Sequence, residues 1–93
     1  MKFVWNEAKA AENLRKHKVS FNEAYRFEFD DALIGIDDDL AYGEERMKAY
    51  GFVGRLLHVM VYVERADVIR VISLRTASKP EVREYGEYIT RGW

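Results

Sequence analysis

Apolar residues come in short blocks along this chain, and the spacing within each block points to the element it builds. Phe3-Val4-Trp5 reads as a short strand, closed by Asn6 as a helix N-cap with Glu7 in the first turn, where an acid suits the helix dipole. The spacing predicts a helix from there to about His17. Ser20 and Glu23 have capping-box spacing, which predicts a second, short helix over about Phe21–Phe29.

After Asp30-Asp31 the pattern shortens. Ala32-Leu33-Ile34-Gly35-Ile36 is an apolar run bounded by acids and suits a strand, with a loop from Asp37 to Gly43. Glu45–Tyr50, Arg55–Glu64 and Val68–Arg75 are three further strand candidates, separated by Gly51–Gly54 and Arg65–Asp67 at hairpin lengths. Ser78 can cap a last helix with Pro80 in its first turn, from Glu81 to about Ile89, before a loose tail, Arg91–Trp93. The pattern predicts one α+β domain over residues 1–93: N-terminal helices and a C-terminal helix packed on a mainly antiparallel sheet of four or five strands.

Opposed residues of a hairpin share a face, so the side chains can be sorted. One predicted face is aliphatic: Met47, Ala49, Leu57, Val59, Val61, Val63, Val68, Ile72 and Leu74, with Arg70 as its misfit. A guanidinium buried there needs a carboxylate such as Glu23 or Glu81. The other face collects Arg46, Lys48, Tyr50, His58, Met60, Tyr62, Ser73 and Arg75, with Ile69 and Val71. That mixture of cations and aromatics suits binding, although a slip of one residue in the last strand exchanges Arg70 with Ser73 and Arg75.

Composition narrows the class. The 48% apolar and 33% charged residues describe a globular chain without a membrane span. With no cysteine there is no disulfide framework, thiolate nucleophile or cysteine-rich zinc site. The polar turn soon after Met1 does not resemble a secretory signal, so a cytoplasmic location is expected. A net charge of -1 argues against global attraction to nucleic acid, yet the charges are segregated. Residues 1–18 hold five Lys or Arg against two Glu, residues 23–45 hold nine acids against Arg26, and residues 46–83 hold eight bases against three acids.

The pattern Trp5-Asn6-x-x-Lys9-x-x-x-Asn13-x-x-Lys16-His17-x-Val19-Ser20-Phe21-x-Glu23-Ala24 resembles the opening of the BrnT family of toxins. Gly43-Glu44-Glu45-Arg46, then Ile69-Arg70-Val71-Ile72-Ser73-Leu74-Arg75-x-Ala77, and Glu81 before Tyr85, resemble the later blocks of that family in the same order. Lys18 stands where the family usually has glycine, and Leu74 where a small residue is common. The resemblance implies a fold similar to the RelE-type endoribonucleases, RNA cleavage that stops growth, and neutralisation by a BrnA-type antitoxin. That antitoxin would be the component that binds DNA, in a higher-order complex with the toxin.

RNA cleavage without a metal or other cofactor needs a base for the ribose 2′-hydroxyl, an acid for the leaving oxygen and cations at the phosphorane. His17, Glu44, Arg46 and Arg75 are the catalytic candidates. The two arginines suit phosphate oxygens, and Glu44 or Glu45 can serve as base beside Arg46, with Glu44 favoured because it would share the face of Arg46. Lys9, Lys16, Lys48, His58, Ser73 and Tyr85 are the candidates for RNA contact. Most also have a structural reading: the two arginines as surface salt bridges to Glu44, Glu45 or the acidic segment, Glu44 as a solvated strand-start charge, the helix lysines as a solvated face, Asn13 and His17 as helix-end caps, His58 as a packed histidine, and Tyr85 as a packed helix aromatic. Asp37-Asp38-Asp39 lacks the spacing of a calcium loop and reads as a solvated turn, so no metal site is expected. A noncatalytic module that binds RNA or protein through the same basic and aromatic face is the alternative function.

Overall fold

A computed structural model describes residues 1–37 and 43–91, so most of the predicted Asp37–Gly43 loop, and Gly92-Trp93 of the predicted tail, lie outside the described residues. The elements are β1 (Lys2–Val4), α1 (Glu7–His17), a 3₁₀ helix (Phe21–Arg26), β2 (Leu33–Asp37), β3 (Arg46–Val53), β4 (Leu56–Arg65), β5 (Val68–Thr76) and α2 (Lys79–Arg91). The strands form one sheet in the order β1-β5-β4-β3-β2. Its pairings are antiparallel except for β1 beside β5, so the sheet is mixed.

Local chemistry sets the ends of α1. Asn6 accepts a hydrogen bond from the Lys9 backbone N–H at 3.0 Å, while Arg15, Lys16 and His17 occupy the last turn, where cations favour the dipole. The helix stops at Lys18, which adopts φ 62° and donates its backbone N–H to Leu14. This left-handed position is the one that glycine fills without a Cβ penalty.

The second helix differs from expectation. Ser20 accepts from the Asn22 backbone N–H, and the Glu23 carboxylate turns away to Arg26, so no capping box forms. Phe21, Ala24 and Phe27 are all buried, and a spacing of three matches a 3₁₀ turn, on which every third side chain lies on one line. The segment ends at Arg26, after which Phe27 makes an isolated bridge to Val53. Phe27 packs closely against Gly51, where an added Cβ would come within 2.6 Å of its ring.

The sheet faces also need correction. β3 continues to Val53, and Gly54-Arg55 alone form the turn, with Gly54 at φ 60°. Val53 therefore opposes Leu56 and Ala49 opposes Met60, which reverses the predicted facing of β4. Pairing between β4 and β5 then steps from Tyr62↔Val71 to Val61↔Ser73, leaving Ile72 as a bulge. The bulge changes the parity of β5 midway. Ile69, Val71 and Leu74 consequently share one face, and Arg70, Ser73 and Arg75 share the other.

α1 and the 3₁₀ helix cover the first face. Its core contains Phe3, Val19, Phe21, Ala24, Phe27, Ala49, Val53, Met60, Tyr62, Ile69, Val71 and Leu74, with Met47 packed against it. The predicted aliphatic face is thus divided: Met47, Ala49 and Leu74 belong here, whereas Leu57, Val59, Val61 and Val63 back the cationic face. A second cluster on that cationic face, Tyr50, Leu57 and Val59, is covered by Tyr85 of α2. Among the described residues, no helix is long and apolar enough to cross a membrane.

Candidate active site

The corrected register arranges the cationic face in rows across the strands. One row runs Arg75, Val59, Tyr50 and Leu33; the next runs Ser73, Val61, Lys48 and Gly35. Beyond them Arg70 lies opposite Val63, and Arg46 lies opposite Asp37. The valines of β4 form an apolar floor between cations projecting from β3 and β5.

Arg75 occupies the edge of this floor nearest α2. Its Nη1 and Nη2 donate to the two oxygens of Glu81 at 2.7 and 2.8 Å. Glu81 also accepts the Ser78 backbone N–H at 2.8 Å, and Ser78 Oγ accepts the Glu81 N–H at 3.4 Å, so these two residues form the capping box of α2. Arg75 holds the Glu81 carboxyl at about 2, well under its ordinary 4.5, and hydrogen bonds from Ser78 assist. Tyr50 lies in the same row as Arg75. Burial is the main cause that pushes its phenol up to about 12, and the hydrogen bond to Glu84 adds to it. The Lys48 ammonium lies 5.6 Å from the Tyr50 ring centre.

α1 brings His17 to this end of the sheet. β1 pairs with β5 only as far as Arg70, and among the described residues no strand covers the outer edge of β5 beyond it. The buried amide of Asn13 takes that place: Nδ2 donates to Leu74 O at 2.7 Å and to Val19 O at 3.0 Å, while Oδ1 accepts the Leu74 N–H at 3.2 Å. His17 is one turn further along the same helix face. Its imidazole pKa is lowered below 6.5 by burial first, then by the charges of Lys16 and Arg75. A histidine so placed is mostly neutral at pH 7 and can accept a proton.

The structure therefore brings together Arg75, His17, Lys16 and, along the face, Lys48 and Ser73. Other candidates lie elsewhere. His58 is buried, shares a row with Gly51 and Thr76 under the helices, and its Nδ1 lies 2.9 Å from Leu56 O, which corrects its predicted place on the open face. Tyr85 is buried beneath α2, donates to Asp31 O at 2.7 Å and meets Phe52 edge-on. Lys9 is exposed two turns before Lys16 on α1. Glu44 accepts from Arg70 with both oxygens, at 2.7 and 2.9 Å, so Arg70 is paired with Glu44 and not with Glu23 or Glu81. Arg46 is buried at the start of β3.

Sequence reasoning placed Tyr50 on the cationic face without giving it a role, and missed Glu81 and Glu84 as members of the candidate site and Asn13 as its brace. The Ser78-x-x-Glu81 spacing was a usable signal for the capping box. No pattern in the chain indicates that the same carboxylate also holds Arg75. Among the described residues, no group of three or more His, Asp or Glu side chains is placed to hold a metal ion.

The family model of BrnT, the ribonuclease toxin of type II toxin–antitoxin systems, matches residues 5–81. The 1.1 Å crystal structure of the Brucella abortus ribonuclease toxin BrnT superposes with a TM-score of 0.68, at 25% identity, over 85% of this chain and 99% of that one. None of the curated proteins matches the chain. The α+β architecture is therefore the one seen in that toxin, and membership of a type II system implies an antitoxin as partner. On these matches the chain belongs to the BrnT family of ribonuclease toxins of type II toxin–antitoxin systems.

Proposed function

We propose that this chain is a metal-independent endoribonuclease, acting in the cytoplasm, whose active site is the cationic sheet face around Arg75. The observation that carries this reading is the shared face of Arg75 on β5 and Lys48 on β3, with His17 near enough to Arg75 for that charge to help lower its imidazole pKa. In RNA the 2′-hydroxyl attacks the adjacent phosphorus while the bond to the 5′-oxygen breaks, giving a 2′,3′-cyclic phosphate and a 5′-hydroxyl. Neutral His17 takes the 2′-hydroxyl proton. Arg75 and Lys48 stabilise the charge on the phosphorane, and one such electrostatic contact contributes about 10²–10³-fold in rate.

Tyr50 stays protonated at neutral pH and is the donor nearest Arg75 along its row, which suits it to protonating the leaving 5′-oxygen. Lys16, Lys9 and Ser73 extend the RNA contact along α1 and β5. Arg46, and Glu44 with Arg70, support the far end of the face electrostatically, while His58 and Tyr85 pack. A BrnA-type antitoxin covers the cationic face and supplies the DNA contacts of a higher-order complex.

The test is a gel assay of bulk RNA in EDTA with the purified chain, its Arg75→Ala and His17→Ala variants, and a sample preincubated with the antitoxin. Cleavage is expected from the unaltered chain alone. Intact RNA in every lane, with binding that survives both substitutions, would instead support a noncatalytic binding module.

A further inference from the structure

We infer that Glu81 is a positioning residue for RNA cleavage, aiming Arg75 at the scissile phosphate; this rests on the function proposed above. A guanidinium carries five N–H groups in one plane. Glu81 takes one from each Nη, the end-on arrangement, which leaves Nε–H and the outer Nη–H groups available. Nε and the Nη beside it make a second fork, which fits two oxygens of a phosphate. The two bonds to Glu81 fix the plane of Arg75 and so fix the direction of this second fork.

Glu81 is itself fixed. The Ser78 backbone N–H holds its Oε1, and its side chain is 16% exposed against 32% for Arg75. The aim of Arg75 is thereby set by the first turn of α2, although Arg75 belongs to β5. An unanchored arginine on a strand retains several rotatable bonds and must be ordered in each turnover, whereas a paired one is ordered beforehand.

The arrangement has an electrostatic cost. A carboxylate against Arg75 weakens the field that draws RNA to this face, so removing its charge should strengthen ground-state binding while spoiling the aim. Glu81→Gln separates the two effects, because the amide oxygen can still accept the Ser78 N–H. With a fluorophore–quencher oligoribonucleotide that the unaltered chain cleaves, the expected result is a fall in kcat of about tenfold or more with KM unchanged or lower. A purely structural role for Glu81 does not predict a fall in kcat with KM unchanged or lower.

Two companions make the result decisive. Ser78→Ala removes the side-chain cap but leaves the fork and the backbone contact, and should lower thermal stability with kcat within about twofold. Glu81→Asp retains the charge but is one methylene short; it should lower kcat without improving KM, and it serves if Glu81→Gln does not fold. Loss of activity in Arg75→Ala together with ordinary kcat in a folded Glu81→Gln or Glu81→Asp overturns the inference and leaves the active-site reading intact. Full activity in Arg75→Ala overturns the reading itself.

Discussion

Replacing Asn13 by alanine should destabilise this protein far more than a substitution on a largely exposed helix normally does. Ten of the eleven residues of α1 escape full burial, and Asn13 is the exception. Its amide satisfies Leu74 N–H, Leu74 C=O and Val19 C=O. Leu74 is fully buried, so water cannot readily replace these partners. At about 1–1.5 kcal/mol for each of the three hydrogen bonds lost, the loss is about 3–5 kcal/mol. That is a large share of the roughly 5–15 kcal/mol by which such domains are stable. Urea unfolding followed by the fluorescence of Trp5, which packs edge-on against Phe21, would show the midpoint falling by about 2–3 M at an m-value of roughly 1.5 kcal/mol/M. Asn13→Asp sharpens the test. A carboxylate can still accept the Leu74 N–H but faces two carbonyl oxygens, so this variant should be less stable at pH 7 than at pH 4. A loss below about 1 kcal/mol in Asn13→Ala, or an Asp variant as stable as the parent at pH 7, would refute the bracing role.

The Arg75–Glu81 pair makes an acid-dependent contribution. Because the native carboxyl titrates at about 2 and the unfolded one near 4.5, the contribution is complete above that value and disappears as pH falls between them. Allowing for partial solvent screening it is about 1–2 kcal/mol. Urea titrations at several pH values should find it in the parent and not in Glu81→Gln; equal acid sensitivity in both contradicts it. Lys18→Gly should raise the melting temperature, with a gain of about 0.5–1 kcal/mol from relief of the left-handed backbone, despite losing the Lys18 Nζ contact to Arg15 O. An unchanged or lower melting temperature would count against that strain. His17 should titrate below 6.5 by NMR and rise towards it in Arg75→Ala, and RNA cleavage should fall as pH drops through its pKa. A value at or above 6.5 in the parent contradicts the lowering by burial and the neighbouring cations, and cleavage that does not fall as pH drops through the measured pKa removes His17 as the base.

Much of the backbone plan was legible because it rests on local chemistry. Asn6 capping α1, Ser78 capping α2 and the apolar runs of the strands follow from neighbouring residues, and the Trp5-to-Ala24 pattern with the later blocks pointed to the family. The facing of the strands was not legible to the same degree. It depended on whether Gly51–Gly54 formed the loop or, as found, Gly54-Arg55 alone, and on a bulge at Ile72 that no residue type announces. A one-residue difference in register moves a whole strand to the opposite face, which is why His58, Met60 and Tyr62 were assigned to the open side.

The site shows the same division. Arg75 and Lys48 stood out as cations on β-strands and do lie on one face. Their neighbours depend on tertiary packing: His17 arrives because Asn13 ties α1 to β5, and Tyr50 meets Glu84 because α2 crosses this face. Arg70 was the harder case. It lies opposite Val63 as expected, and its misfit came from the β3–β4 register and the bulge together, which bring Lys48, Ser73 and Arg75 onto its face; its partner, Glu44, precedes it by 26 positions.

In the proposed mechanism the RNA supplies its own nucleophile on this face. The most direct measurement is the chemistry of the ends left when the purified chain cleaves a defined oligoribonucleotide in EDTA. Cleavage should leave 2′,3′-cyclic phosphate and 5′-hydroxyl ends, absent with an otherwise identical substrate carrying 2′-deoxyribose at the cleavage position. Ends bearing 3′-hydroxyl and 5′-phosphate, or cleavage that persists in the 2′-deoxy substrate, would contradict it.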